Sequence, residues 1–269
     1  MSGRIEKRFE ALQRAQRKAL IPFVTAGDPD PGFVVELMHS LVEGGADLLE
    51  LGVPFSDPMA DGPVIQASSE RAIRKGVSLE HVLGWVQRFR EQDEDTPVIL
   101  MGYMNPFERF GVEALATEAA RAGVDGFLTV DCPPEELGTF GSALKRADLA
   151  NIRLVAPTTP EQRVARVTQG ARGFIYYVSF KGTTGAGHLD AGSVDAPLAR
   201  LRRHTDLPIA VGFGISDAAS ARAVSRQADG VVIGSALVDR LAQSASSEDA
   251  LNAARSFLRE IRVALDASA

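Results

Sequence analysis

Eight short apolar runs, each followed by a stretch of helical periodicity, constrain this chain more than any other feature. They lie at residues 21–26, 46–53, 98–103, 126–131, 153–157, 174–179, 208–214 and 231–235. Most are apolar at successive positions, as parallel strands covered on both faces by helices should be. Between them, apolar residues recur with three-four spacing. Phe33, Leu37, Leu41 and Val42 form one stripe; Leu115, Ala119 and Ala122 form another. A third runs through Leu251, Ala254, Leu258, Ile261 and Leu265. Asp30-Pro31 opens the first connecting helix, Gly44-Gly45 closes it, and Ser216-Asp217 opens the helix after the seventh run. Eight strand–helix units in 269 residues predict an α/β fold, a (βα)8 TIM barrel formed as a single domain over residues 1–269. An open doubly wound sheet is the alternative; it fits less well because no Gly-x-Gly-x-x-Gly follows the first run. Extra helices are expected in the second unit, at 63–75 and 79–92, and in the eighth, with a turn at 243–247 before the last.

Charge and composition narrow the function. The formal net charge of −6 gives no support to nucleic-acid binding. Arg4, Lys7, Arg8, Arg14, Arg17 and Lys18 crowd the N-terminus, but Ile5, Phe9 and Leu12 form a helical stripe among them. An additional amphipathic helix packed on the body explains that segment better than a nucleic-acid contact. Cys132 is the one cysteine, so no disulfide forms within the chain. The charged start lacks a signal-peptide core, and no segment approaches the roughly 18 apolar residues of a membrane span. A cytoplasmic protein, with neither membrane nor nucleic acid as partner, is expected.

In such a barrel the chemistry lies at the C-terminal ends of the strands. Glu50 sits near the end of the second strand, and Asp57 and Asp61 lie on the loop after it, which Pro54, Pro58 and Pro63 stiffen. Burial in an apolar strand should raise the pKa of Glu50, whereas a loop aspartate stays solvated and charged. Two carboxylates in unlike surroundings suit acid–base chemistry at neutral pH. Plainer roles stand beside this one: a buried structural glutamate, a helix cap at Asp61, a turn at Asp57-Pro58. Asp131 and Tyr176 also fall near strand ends. Gly212-Phe213-Gly214 and Gly234-Ser235 close the seventh and eighth strands, where this fold binds phosphate. Lys181 to His188 holds three glycines, with Thr184 and Gly185 at its centre, and has the composition of an active-site lid that touches phosphate. Phe23, Met101, Leu128 and Phe213 converge on the mouth, either as core or as walls for an aromatic substrate carrying a phosphate. No cluster has metal-ligand spacing, so no metal is expected. Ser56, Ser179 and Ser235 have no evident histidine partner.

The run Glu50-Leu-Gly-Val-Pro-Phe-Ser-Asp-Pro-Met-Ala-Asp-Gly-Pro-Val-Ile-Gln66 resembles the signature of the tryptophan synthase alpha chains. Residues 22–29, 182–186 and 212–216 are similar to the same family, in order, over essentially the whole chain. The resemblance implies a (βα)8 barrel that cleaves indole-3-glycerol phosphate to indole and glyceraldehyde 3-phosphate. Glu50 and Asp61 match the family's catalytic pair. It also implies a partner, the beta chain, in an alpha2beta2 heterotetramer; the beta chain carries pyridoxal phosphate, and the alpha chain has no cofactor. Glu50 would then shuttle protons, Asp61 accept the indole N–H, Tyr176 orient the side chain, and Thr184 close over the site. Thr183 and Gly187 depart from the family's commoner valine and arginine, and Met101-Gly102 from its bulkier pair. Other phosphate-binding barrels, an isomerase or indole-glycerol-phosphate synthase, would show a catalytic lysine at a strand end; Lys181 is the nearest candidate and lies on the lid. A non-catalytic regulatory subunit would be free to lose Glu50 and Asp61.

Overall fold

The computed structural model describes residues 3–178, 192–212 and 214–267. Eight parallel strands follow one another: β1 Ala19–Thr25, β2 Leu49–Gly52, β3 Val98–Gly102, β4 Gly126–Thr129, β5 Ala150–Val155, β6 Ile175–Val178, β7 Ile209–Gly212 and β8 Gly230–Ile233. Each pairs with the next, and β8 returns to β1 with Ala19 opposite Gly230, which closes the barrel. The helices α1 Arg4–Arg14, α2 Val34–Glu43, α3 Pro63–Arg74, α4 Leu79–Arg90, α5 Met104–Phe110 and α6 Val112–Ala122 accompany the first half. The second half carries α7 Gly138–Arg146, α8 Glu161–Thr168, α9 Gly192–Arg202, α10 Ala218–Ser225, α11 Ser235–Ala242 and α12 Ser247–Asp266.

Alternation along each strand divides the apolar residues into two cores. Leu49 and Leu51 of β2 face the helix layer, with Val24, Leu100 and Phe127. Leu48 faces the barrel interior, with Phe23, Ile99, Leu128 and Tyr176. Glu50, between Leu49 and Leu51, therefore points inward as well. Helix α1 completes the interior core from below: Ile5, Phe9 and Leu12 are buried with Ala150 and Phe174, residues at the strand starts. The rings of Phe9 and Phe174 lie 5.6 Å apart. The basic face of α1 stays outside, where Arg4 pairs with Asp125 at 3.1 Å.

One device recurs at the N-terminal end. Asp47, Asp125 and Asp229 precede β2, β4 and β8, and each carboxylate accepts a backbone N–H from the preceding strand. The donors are Leu20 at 2.9 Å, Val98 at 2.8 Å and Ile209 at 2.8 Å. A strand start that would otherwise meet water is thereby tied to its neighbour.

Two details differ from expectation. Strand β5 begins at Ala150 and β1 at Ala19, earlier than the runs at 153 and 21, because ladder pairing extends to Ala150 and polar Asn151 beside β4 and to Ala19 and Leu20 beside β8. The third unit also carries two helices. Its α5 is seven residues long and holds Pro106, so it leaves no periodic signature, and Gly111 at φ +94° breaks the chain before α6.

Candidate active site

The interior alternation delivers Glu50 to the C-terminal mouth of the barrel. It is 1% exposed, and neither carboxyl oxygen has a hydrogen-bond partner among the described residues. Burial, and then the charge of Asp61, push its pKa up to about 8. A carboxyl group in this state is mostly protonated at neutral pH and can act as an acid.

Tyr176 of β6 is buried in the same interior core. Its hydroxyl pKa stands well above the ordinary value, from burial first and then from the charges of Glu50 and Asp61. Its ring needs Gly212 at the end of β7: a Cβ there would lie 2.2 Å from Tyr176 Oη. Gly52 makes the same room for Phe23, whose Cζ would sit 2.5 Å from a Cβ. Gly212→Ala must displace the Tyr176 ring from its place in the interior core. It should cost about 1–3 kcal/mol of stability and lower kcat/KM about tenfold, read by urea unfolding and steady-state kinetics.

Asp61 lies in the loop between β2 and α3, which is held at several points. Its N–H donates to Pro58 O at 3.0 Å, and Gln66 Nε2 donates to Asp61 O at 2.8 Å. Tyr103 Oη donates to Asp61 Oδ2 and accepts the Ala60 N–H, both at 3.1 Å. The aspartate is half-buried rather than solvated, which corrects the simple contrast with Glu50. Burial raises its pKa and the Tyr103 hydrogen bond opposes that rise. Tyr103 is the site residue that the strand pattern did not single out; it reads there as the end of an apolar run.

A cleft at this mouth is lined by Phe23, Thr25, Asp61, Ile65, Met101 and Tyr103, among others. Leu128 is fully buried within the interior core. Gly214 adopts a left-handed φ of +75°. Gly234 caps α11, its carbonyl accepting the N–H groups of Leu237 and Val238, and Ser235 begins that helix. A helix start of this kind leaves backbone N–H groups for an anion. Asp131 lies at the rim: its Oδ1 accepts the Met104 N–H at 2.8 Å at the start of α5, and its charge acts on Tyr103. Asp57 is exposed and accepts Ser56 Oγ at 2.6 Å. Thr184, Gly185 and Phe213, with Lys181, Thr183, Gly187 and His188, lie outside the described residues. A second hollow, about 890 Å³, is at the opposite end between α1, α4 and α6. Its central arginines, Arg4 and Arg90, both pair with Asp125, so the mouth, where Glu50 has no partner among the described residues, is the better site.

The model of the family described as "Tryptophan synthase alpha chain" matches residues 9–266. The chain belongs to the tryptophan synthase alpha chain family. It is 56% identical over 264 residues to the tryptophan synthase alpha chain of Burkholderia ambifaria, covering 98% of this chain and 97% of that one. Identity to the alpha chain of Thioalkalivibrio sulfidiphilus is 57% over 265 residues, 98% of this chain and 100% of the relative. The crystal structure of tryptophan synthase subunit alpha from Legionella pneumophila superposes with a TM-score of 0.93 at 41% identity, covering 99% of this chain and 100% of that one. A chain of tryptophan synthase from M. tuberculosis, in an aminoacrylate-bound form, matches with a TM-score of 0.87 at 32% identity over 98% and 100% of the two chains.

Membership in the tryptophan synthase alpha chain family sets aside the isomerase and indole-glycerol-phosphate synthase alternatives. Within it, the chain is an indole-3-glycerol-phosphate lyase of tryptophan biosynthesis. Among the described residues no helix is long and apolar enough to cross a membrane.

Proposed function

We propose that Glu50 and Asp61 carry the retro-aldol cleavage of indole-3-glycerol phosphate. The observation that carries this is Glu50 itself: a buried carboxyl at the barrel mouth whose two oxygens have no partner among the described residues, its pKa about 8. Indole is a poor leaving group until its C3 is protonated. Protonated Glu50 gives its proton to C3, and the resulting carboxylate takes the proton of the side-chain hydroxyl beside that carbon. The C3–carbon bond then breaks, its electron pair returns to the ring, the hydroxyl carbon becomes the aldehyde, and Glu50 is protonated again. Asp61 accepts the ring N–H and stabilises the cation that C3 protonation creates. Tyr176, whose hydroxyl feels the charge of both carboxylates, orients the substrate side chain. Phe23 and Met101 flank the indole, with Leu128 beneath as part of the core. Gly214, Gly234 and Ser235 hold the phosphate, together with Thr184, Gly185 and Phe213, and fix the reacting bond between the carboxylates.

The beta chain of tryptophan synthase is the proposed partner, in an alpha2beta2 assembly that receives the indole through a channel. Met59 supports a covered surface beside the site: it is 83% exposed on the loop that carries Asp61, next to exposed Asp57. The deciding experiment mixes the purified chain with indole-3-glycerol phosphate and follows indole, with and without a beta chain. Indole and glyceraldehyde 3-phosphate should appear in equal amounts. Failure to release indole even with the partner overturns the proposal.

A further inference from the structure

Helix α3 begins two residues after Asp61, and its last two turns are fastened to the C-terminal end of β1. Asp28, just past β1, is buried and accepts two parallel hydrogen bonds from Arg71, Nε to Oδ1 at 2.7 Å and Nη2 to Oδ2 at 2.8 Å. One turn earlier, Ser68 Oγ meets Thr25 Oγ1 at 2.5 Å and donates to Ile65 O at 2.8 Å. Ile65 reaches the interior core, and Gln66 holds the carbonyl of Asp61. A path of direct contacts therefore leads from the Arg71 fork through one rigid helix to Asp61. A bidentate guanidinium–carboxylate pair fixes angle as well as distance, which a lysine cannot do.

We infer that Arg71, through its fork to Asp28, is a positioning residue that sets α3 so that Asp61 faces Glu50. The fork does not touch the substrate; it determines where the neighbouring loop presents its carboxylate. This rests on the role proposed for Asp61, and the test separates the two.

The test measures steady-state indole release from indole-3-glycerol phosphate, with the beta chain in excess over the alpha chain, for the wild type, Arg71→Ala, Arg71→Lys, Asp28→Asn, Asp61→Asn and the Arg71→Ala/Asp61→Asn pair. Thermal unfolding of each variant accompanies it. Arg71→Ala and Asp28→Asn should lower kcat about tenfold or more with a smaller change in KM, and Arg71→Lys should restore only part. In the Asp61→Asn background Arg71→Ala should have little further effect, because its work is already lost. If Arg71→Ala multiplies the loss by the same factor in both backgrounds, or if Arg71→Lys loses stability but not kcat, Arg71 is a structural residue only. If Asp61→Asn alone keeps full activity, the role of Asp61 fails instead. Should Arg71→Ala not fold, Asp28→Asn and Arg71→Lys carry the same comparison.

Discussion

Glu50→Gln is expected to lower kcat for indole release by about 10³-fold, and to leave a protein more stable than the wild type at pH 8. Both outcomes come from one buried group. Glutamine keeps the shape of the side chain but can neither give a proton to C3 nor take one from the hydroxyl. The stability effect follows from the raised pKa, about 8 in the fold against 4.5 for an ordinary glutamate. Between those pH values the folded chain holds a proton that the unfolded chain has released. The contribution of Glu50 is therefore fully present below about pH 4.5 and declines as the pH rises toward 8. The full decline is on the order of 5 kcal/mol. Glutamine does not titrate, so variant and wild type should differ little near pH 5 and diverge in favour of the variant toward pH 8. Urea unfolding at both pH values reads the divergence, and equal stability at pH 8 would mean that Glu50 is ionised without penalty in the fold. A catalytic group that destabilises the fold it sits in is the expected trade between activity and stability.

The barrel is legible in the sequence because its strands are apolar on both faces and its helices are not. That contrast switches eight times, and each switch has local punctuation: Asp30-Pro31 before α2, Asp217 capping α10, Ser246 capping α12. Glu50 stands out for the same reason, as a carboxylate flanked on both sides by the apolar residues of a strand, Leu49 and Leu51. What is not legible is whatever depends on distant pairing. Tyr103 meets Asp61 across 42 residues, and nothing near Tyr103 announces it. Helix α5 is too short for a period to show. The carboxylates at the strand starts are an intermediate case. Ala46-Asp47, Val124-Asp125 and Ala228-Asp229 repeat one pattern before β2, β4 and β8, a signal visible in the sequence whose meaning emerges only with the neighbouring strand in place. The surroundings of Asp61 are not legible because a loop rich in proline suggests solvent, whereas Tyr103 reaches across to it with its ring packed on Phe55, 5.3 Å between centroids.

Asp61→Asn is expected to lower kcat by about 10²- to 10³-fold, the usual cost of losing a preorganised charge at a transition state. Asparagine can still accept the ring N–H, so KM should change less than kcat. A second signature comes from the coupling of the two carboxylates. The charge of Asp61 contributes to the raised pKa of Glu50, after burial. With that charge removed, the limb of kcat/KM against pH that Glu50 controls should move to lower pH, since this profile reports the groups of the free enzyme. Tyr103→Phe works in the opposite sense. The Tyr103 hydrogen bond holds the Asp61 pKa down against burial, so its loss should raise that pKa and lower kcat most at the acid end of the pH range, with recovery as the pH rises. A Glu50 limb that stays in place in Asp61→Asn would show that the carboxylates do not share the site. A Tyr103→Phe loss that is constant with pH would show that the phenol acts by packing and not through Asp61.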